Sequence, residues 1–445
     1  MKKKKSKKKK MKDWEKKFIF FNILVIVIIC SIYSYKLIYY YKLEHKDSFE
    51  NMDNFYEALI NSNIVYSGDG LYKVDEDNFY FKGVDVNNYL LYSGRMWRII
   101  DIDSDGVKII TDNNQTSLVW GYNSDYLSSY IYKWLNITDN DYSGIFLNSL
   151  NNYSEYLVKN DFCYNFVDND KYGCQKSNND YVGLISIYEY MRSGGKDGFI
   201  NNSEYFWTIN ASDSGKVWYV FDKGGINDES NDLVSYHTFG VRPVIKINKD
   251  ALLISGNGTK DNPFVIENDT SIMLEHKSIG SYVKYDNYVW RINGINDDSI
   301  RLILDGLLEN KLDYVSTINY LNGDFYNSID HSKIKKCDFY NGNFGEDNNY
   351  DYASVYSKKI SNYVGIPSLG ELFITDYDNY WIYSSSNNAN LMYTVNDLGR
   401  IYLDSVNNEN YIRPSICIDK GLYVKDGNGT KDNPFIVEVL DETDN

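Results

Sequence analysis

Histidine, cysteine and proline are scarce in this 445-residue chain, with 4 His, 5 Cys and 5 Pro. The histidines (His45, His237, His276 and His331) are scattered, which argues against a zinc site built on histidine pairs. No C-x-x-C occurs, so a dithiol redox centre is disfavoured. A Gly-rich phosphate loop, an H-E-x-x-H helix and a nucleophile elbow with its Ser-His-Asp order are all missing. Carboxylates are the opposite case. With 62 Asp+Glu, choosing any two as acid and base is arbitrary. A packed core is not missing. Hydrophobic residues make up 43% and aromatics 16%, which excludes wholesale disorder, and the length suits two or three domains.

Charge is unevenly spread. Residues 1–17 hold 11 Lys against Asp13 and Glu15, so a head of +9 precedes a body of −25. The divider is Phe18–Tyr35, 18 residues without a charge, extended past Lys36 to Tyr41. At about 1.5 Å per residue it approaches the ~30 Å of a bilayer core. Lysines precede it and tyrosines follow, so residues 18–41 are expected to be an uncleaved transmembrane anchor in the lipid bilayer, N-terminus cytoplasmic and bulk extracellular. Signal cleavage is disfavoured by the bulky Ser31–Tyr35, and lipoprotein acylation by Ile28-Ile29 before Cys30. Lys2–Lys10 carries no interleaved aromatic, so no nucleic acid partner is expected.

The chain is internally duplicated. Gly256–Phe264 (GNGTKDNPF) recurs without change as Gly427–Phe435. Other marks recur in the same order: Trp97-Arg98-Ile99 with Trp290-Arg291-Ile292, Tyr181-Val182-Gly183 with Tyr363-Val364-Gly365, Phe206-Trp207 with Tyr380-Trp381, and Arg242-Pro243 with Arg413-Pro414. Two homologous domains follow, at 79–268 and 271–440, with a stalk at 42–78 and an acidic tail at 441–445. In the stalk, Phe49, Met52, Phe55, Tyr56, Leu59 and Ile60 recur at helical spacing, and Ser67–Gly70 ends the helix.

Within each repeat the order is hairpin, helices, then several strands, a mixed α+β pattern. Trp97–Ile100 and Val107–Ile110 flank a polar turn. Helices are expected over 128–135, over parts of 141–160, and at 186–193 and 368–374. The last two open with the capping boxes Ser186–Glu189 and Ser368–Glu371. Later strands are expected near 205–209, 217–221, 241–247 and 264–267, and near 380–384, 391–395, 411–418 and 435–439.

The order Gly70-Leu71-Tyr72, Phe79–Gly83, Trp97-Arg98-Ile99, Tyr181–Leu184, Gly240–Val244 and the G-N-G-T-x-x-N-P turn resembles a family of uncharacterised surface domains of Gram-positive bacteria with AT-rich genomes. The Lys, Asn, Ile and Tyr bias and the low Pro count suit such a genome. That family is remotely similar to the C-type-lectin-like fold and the formylglycine-generating sulfatase modifiers, through Gly240-Val241-Arg242. In the second copy Tyr411 replaces the Gly. The resemblance implies two tandem C-type-lectin-like mixed α/β domains behind the transmembrane helix, serving as binding modules. The catalytic cysteines of the formylglycine enzymes do not carry over, because 215–240 and 384–411 contain no Cys.

Cys163 and Cys174 are disulfide candidates closing a short polar loop, and Cys337 with Cys417 is a second pairing left open. Asp101, Asp103, Asp105 and Asp112 imitate a Ca²⁺ loop, but strands rather than helices flank them, so no cofactor is assigned and Ca²⁺ stays open through other loops. Arg242 and Arg413 are read as structural, in ion pairs. Trp97, Trp290, Trp207 and Trp381 recur and are read as core. Trp120, Trp134 and Trp218 lack a clear twin and are expected on a ligand-facing surface. The expected function is binding of envelope or host glycans or proteins. An envelope-modifying enzyme and a structural spacer are the alternatives.

Overall fold

The computed structural model describes residues 54–439 apart from 122, 139–142, 165–175, 212–215, 230–237, 268–271, 296–297, 343–356, 369–378, 387 and 397–400. The expected anchor at 18–41, the Lys-rich head, the acidic tail and the capping-box residue Glu371 lie outside the described residues. Among the described residues no helix is long and apolar enough to cross a membrane.

The chain is α+β, with many strands and few short helices, and two sets of sheets fit two domains. In the first repeat the large sheet runs Gly70–Lys73, Phe79–Lys82, Arg95–Asp103, Gly106–Thr111, Pro243–Asn248, Val182–Leu184. Tyr89–Tyr92 also pairs with Arg95–Asp103, and Phe264–Val265 lies parallel to it. In the second repeat Ser415–Asp419, Ser299–Leu304, Tyr288–Ile295, Tyr282–Tyr285 and Phe435–Val439 follow the same order. Each repeat adds a five-stranded sheet: Ile226–Glu229, Val217–Val220, Phe206–Ala211, Phe239–Val241, Thr116–Leu118, and its mirror in order, Leu308–Leu312, Asn410–Ile412, Tyr380–Ser385, Leu391–Val395, Ile401–Ser405. One pair in each is parallel, Phe206 with Gly240 and Tyr380 with Tyr411.

The recurring residues fasten these sheets by the same bonds twice. Trp97 Nε1 donates to Tyr92 O at 2.9 Å, and Trp290 Nε1 to Tyr285 O at 3.1 Å. Trp207 donates to Leu118 O and Trp381 to Leu312 O, both at 2.9 Å. All four indoles are fully buried, so each joins a large apolar area to one satisfied donor. Gly256 and Gly427 hold φ of +94° and +89°, and a Cβ at either would overlap the carbonyl oxygen of Pro263 or Pro434. Gly183 and Gly365 are needed for a different reason: the rings of Phe162 and Phe339 lie where their Cβ atoms would be.

Several expectations are revised. The stalk does supply a helix, Phe55–Ile60, capped by Asn54 and packed through Phe55 and Leu59 on the first core. However, Gly70–Lys73 is not stalk. It pairs with Phe79–Lys82 (Leu71 opposite Phe81), which extends the first repeat's sheet toward the N-terminus. The helix over 128–135 is Tyr130–Leu135, while 141–160 holds two single turns, Ile145–Asn148 and Tyr153–Tyr156. Helix Ile187–Arg192 has its capping box complete.

Two cores form. One belongs to the second repeat alone. The other contains the first repeat's apolar residues and also Tyr380, Ile382, Tyr393, Val395 and Ile401 of the second. The outer face of the second repeat's small sheet is therefore joined to the first repeat by apolar packing, and between them the repeats enclose a seam.

Candidate functional site

The seam begins at a hairpin tip. Ser93 and Gly94 join Tyr89–Tyr92 to Arg95–Asp103 with φ of +56° and +64°, the two-residue turn whose twist matches its strands. Ser281 Oγ of the second repeat donates to Gly94 O at 3.2 Å, and a Cβ on Gly94 would collide with that hydroxyl. Ser93 Oγ and Ser278 Oγ are 3.0 Å apart. The first repeat's hairpin is thus plugged into the segment that leads into the second repeat.

This contact fixes Arg95. The side chain is buried, with Nε donating to Gln115 Oε1 at 3.0 Å, one terminal nitrogen to Ser93 O at 3.1 Å and the other to Ser149 Oγ at 2.7 Å. Its guanidinium lies 5.1 Å from the centre of the Phe146 ring. Burial first, and then the like charge of Arg291, push it down to about 9. Arg291 comes from the other repeat, with Nε donating to Gly280 O at 3.2 Å and its guanidinium 4.8 Å from the Tyr282 ring centre.

The opposite wall is made by the two identical turns. Lys260 Nζ of one meets Asp432 Oδ2 of the other at 2.9 Å, and this bond holds Lys260 above its usual range. Asp112 pairs with Arg98 at 3.5 Å, and Arg98 stacks over Tyr89 at 3.7 Å. Arg95, Gln115, Arg291, Asp112, Lys260 and Asp432 together line a cavity of about 440 Å³. A second recess on the seam, about 750 Å³, is lined by Glu267, His276 and Asn293 among others. There Glu267 already accepts from Ser93 N and Asn151 Nδ2.

The residues singled out in the sequence lie elsewhere. Among the described residues Arg242 has no ion-pair partner within 4.0 Å. It is buried and donates to the carbonyl oxygens of Thr111 and Asp112, at 2.8–3.0 Å, and to that of Ile200, while Arg413 Nε donates to Leu304 O at 2.9 Å. Strand-end carbonyls hold each arginine, and burial pushes Arg242 down to about 10. Trp120 and Trp134 do not face a ligand: both are buried, Trp120 edge-on to Trp207 at 5.7 Å and Trp134 against Phe146 at 5.3 Å. Trp218 is half-buried on Val217–Val220.

Asp101–Gly106 is a hairpin in which Arg192 takes Asp101 and Lys246 takes Asp103 at 2.6 Å. Among the described residues no group of three metal-ligating side chains forms. Cys337 is bonded to Cys417. Cys163 is also disulfide-bonded, and its expected partner Cys174 lies outside the described residues.

Sequence reasoning did not single out Arg95, Gln115 or Arg291 as a site. Lys260 and Asp432 were not singled out either; they stand inside the nine identical residues, the signal that could have found them. Comparison with known protein families, characterised proteins and solved structures finds no match.

Proposed function

We propose that the chain is a single-pass, membrane-anchored protein whose outward-facing body is a binding module of two lectin-like repeats, with the ligand seated in the seam between them. The observation that carries this reading is the cavity of about 440 Å³ walled by both repeats. Small-molecule sites gather at domain interfaces, where two scaffolds can place polar groups around one space. The seam is held by apolar packing and by the hairpin plug, so its donors are positioned before a ligand arrives. The anchor rests on the uncharged run after the Lys-rich head, and the lectin-like reading on the Gly240–Arg242 strand. The partner class is an envelope or host glycan, or a protein bearing one.

A glycan array probed with full-length protein in detergent, with and without Ca²⁺, tests the binding. Selective retention of a glycan class is expected, and silence in both conditions removes the glycan reading. Membrane extraction tests the anchor. A shortened, soluble product contradicts it.

A further inference from the structure

The seam gathers cations that the rest of the body has few of. Beyond residue 17 the chain has 35 basic and 60 acidic side chains, yet Arg95, Arg291, Lys260 and Lys431 line this one cavity. Its lining also holds three carboxylates, Asp112, Asp261 and Asp432, of which Asp432 pairs with Lys260 and Asp112 with Arg98. Arg95 differs from these pairs. It is buried, and the groups it donates to are neutral oxygens of Gln115, Ser93 and Ser149. A buried cation whose bonds all go to neutral acceptors keeps its field for whatever enters beside it. Arg291 adds a second positive charge from the other repeat, near enough to lower Arg95, while Tyr92 and Glu267 act the other way. Around them Asn113, Asn428 and Asn433 offer side-chain amides, which suit a hydroxylated molecule, while the Thr430 hydroxyl is spent within the turn on Asn428 Oδ1 and Asn433 N. Planar guanidinium forks match carboxylate and phosphate oxygens.

We propose that the seam cavity binds a small hydroxylated anion, a saccharide unit carrying a carboxylate or a phosphate, with Arg95 and Arg291 supplying the charge at depth and Lys431 adding to it at the mouth, beside the Lys260–Asp432 pair. This rests on the binding reading above and narrows it to a ligand class.

The test is calorimetric titration of full-length protein in detergent with glucuronate, glucose 6-phosphate, inorganic phosphate and, as the neutral control, methyl glucoside. Saturable binding of an acidic sugar is expected, with methyl glucoside silent and affinity falling as salt rises. Glucuronate binding alone assigns a carboxylate ligand, while binding of glucose 6-phosphate and inorganic phosphate assigns a phosphate one. The variant Lys431→Gln, which leaves the Lys260–Asp432 pair intact, should weaken binding about threefold, and its melting temperature reports whether it folds. Wild-type affinity indifferent to salt overturns the proposal whether or not the variant folds. So does absence of binding by every anion, or binding of methyl glucoside as tight as that of the acids. Silence of the anions beside retention of neutral glycans on the array defeats this ligand class alone and leaves the binding reading standing.

Discussion

The two repeats build one fold but fasten it differently beneath the same strands. In the first, Lys246 on Pro243–Asn248 pairs with Asp103, Lys108 pairs with Glu189, and Arg192 pairs with Asp101. In the second, the position of Lys246 is Cys417, and it is bonded to Cys337. The rings of Phe162 and Phe339, each against its glycine, place Cys337 where the first repeat has Asn160. Lys108 becomes Arg301, and each lies 5.2 Å from the centre of that same ring. Asp101 becomes Gly294. At this place on the large sheet one copy is thus tied by charges whose state depends on pH, the other by a covalent bond whose state depends on redox potential. A fold of this kind needs a tie at that place but does not dictate its chemistry.

What the copies share should break alike. Trp97→Ala and Trp290→Ala each remove a fully buried indole and its hydrogen bond, and each should cost about 3–5 kcal/mol. Urea unfolding measures both, and a loss in one repeat only would contradict their equivalence. What differs should break apart. Cys337→Ala opens an 80-residue separation in the second repeat while leaving the bond at Cys163 intact, and should cost about 2–4 kcal/mol, read as faster hydrogen exchange in Ser299–Leu304 and Ser415–Asp419 but not in Gly106–Thr111.

Acid should act on the first repeat. Burial pushes Asp101 up to about 6, against the pull of Arg192, so the folded chain binds that proton more tightly than the unfolded chain does. Its contribution therefore falls as pH rises from about 4 to about 6, by on the order of 2–3 kcal/mol, and Asp101→Asn should flatten that slope in urea midpoints taken across the window. Glu189 runs the other way. Burial raises it, but Lys108 and Ser186 together hold it below its ordinary value, so its contribution is lost only at lower pH. The smallest effect is local. Ser186→Ala removes the hydroxyl that accepts from Glu189 N at 3.2 Å, and should cost about 1 kcal/mol, seen as fraying of Ile187–Arg192 by hydrogen exchange.

Most of the duplication was legible in the residues because its marks are places where backbone geometry leaves little choice. The left-handed glycines, the indoles bonded to carbonyls and the clasped arginines all recur as identical letters. Trp120 and Trp134 were misread because identity was asked for where chemistry sufficed. Leu118 and Leu312 occupy the same place, so Trp120 corresponds to Tyr314, and each meets its partner indole edge-on at 5.7 Å. Asn136 and Asn322 make the same bond, to Val182 O and Val364 O, so Trp134 corresponds to Tyr320. A Trp–Tyr exchange keeps a ring at the same place, half-buried in the second copy, and hides the twin.

The seam was harder to see for a different reason. Arg291 is the counterpart of Arg98, not of Arg95, whose own counterpart is Tyr288. The cavity's two deep cations come from non-equivalent positions, so repetition cannot flag them. They meet only once the hairpin tip is docked on Ser278 and Ser281.

The most direct test of two copies forming one binding seam is hydrogen exchange of the full-length protein with and without saturating glucuronate or phosphate. Slower exchange confined to residues 93–96, 112–115, 258–263, 280–282 and 428–433, from both repeats at once, is the predicted result. Protection confined to one repeat, or lying away from the seam, would contradict it.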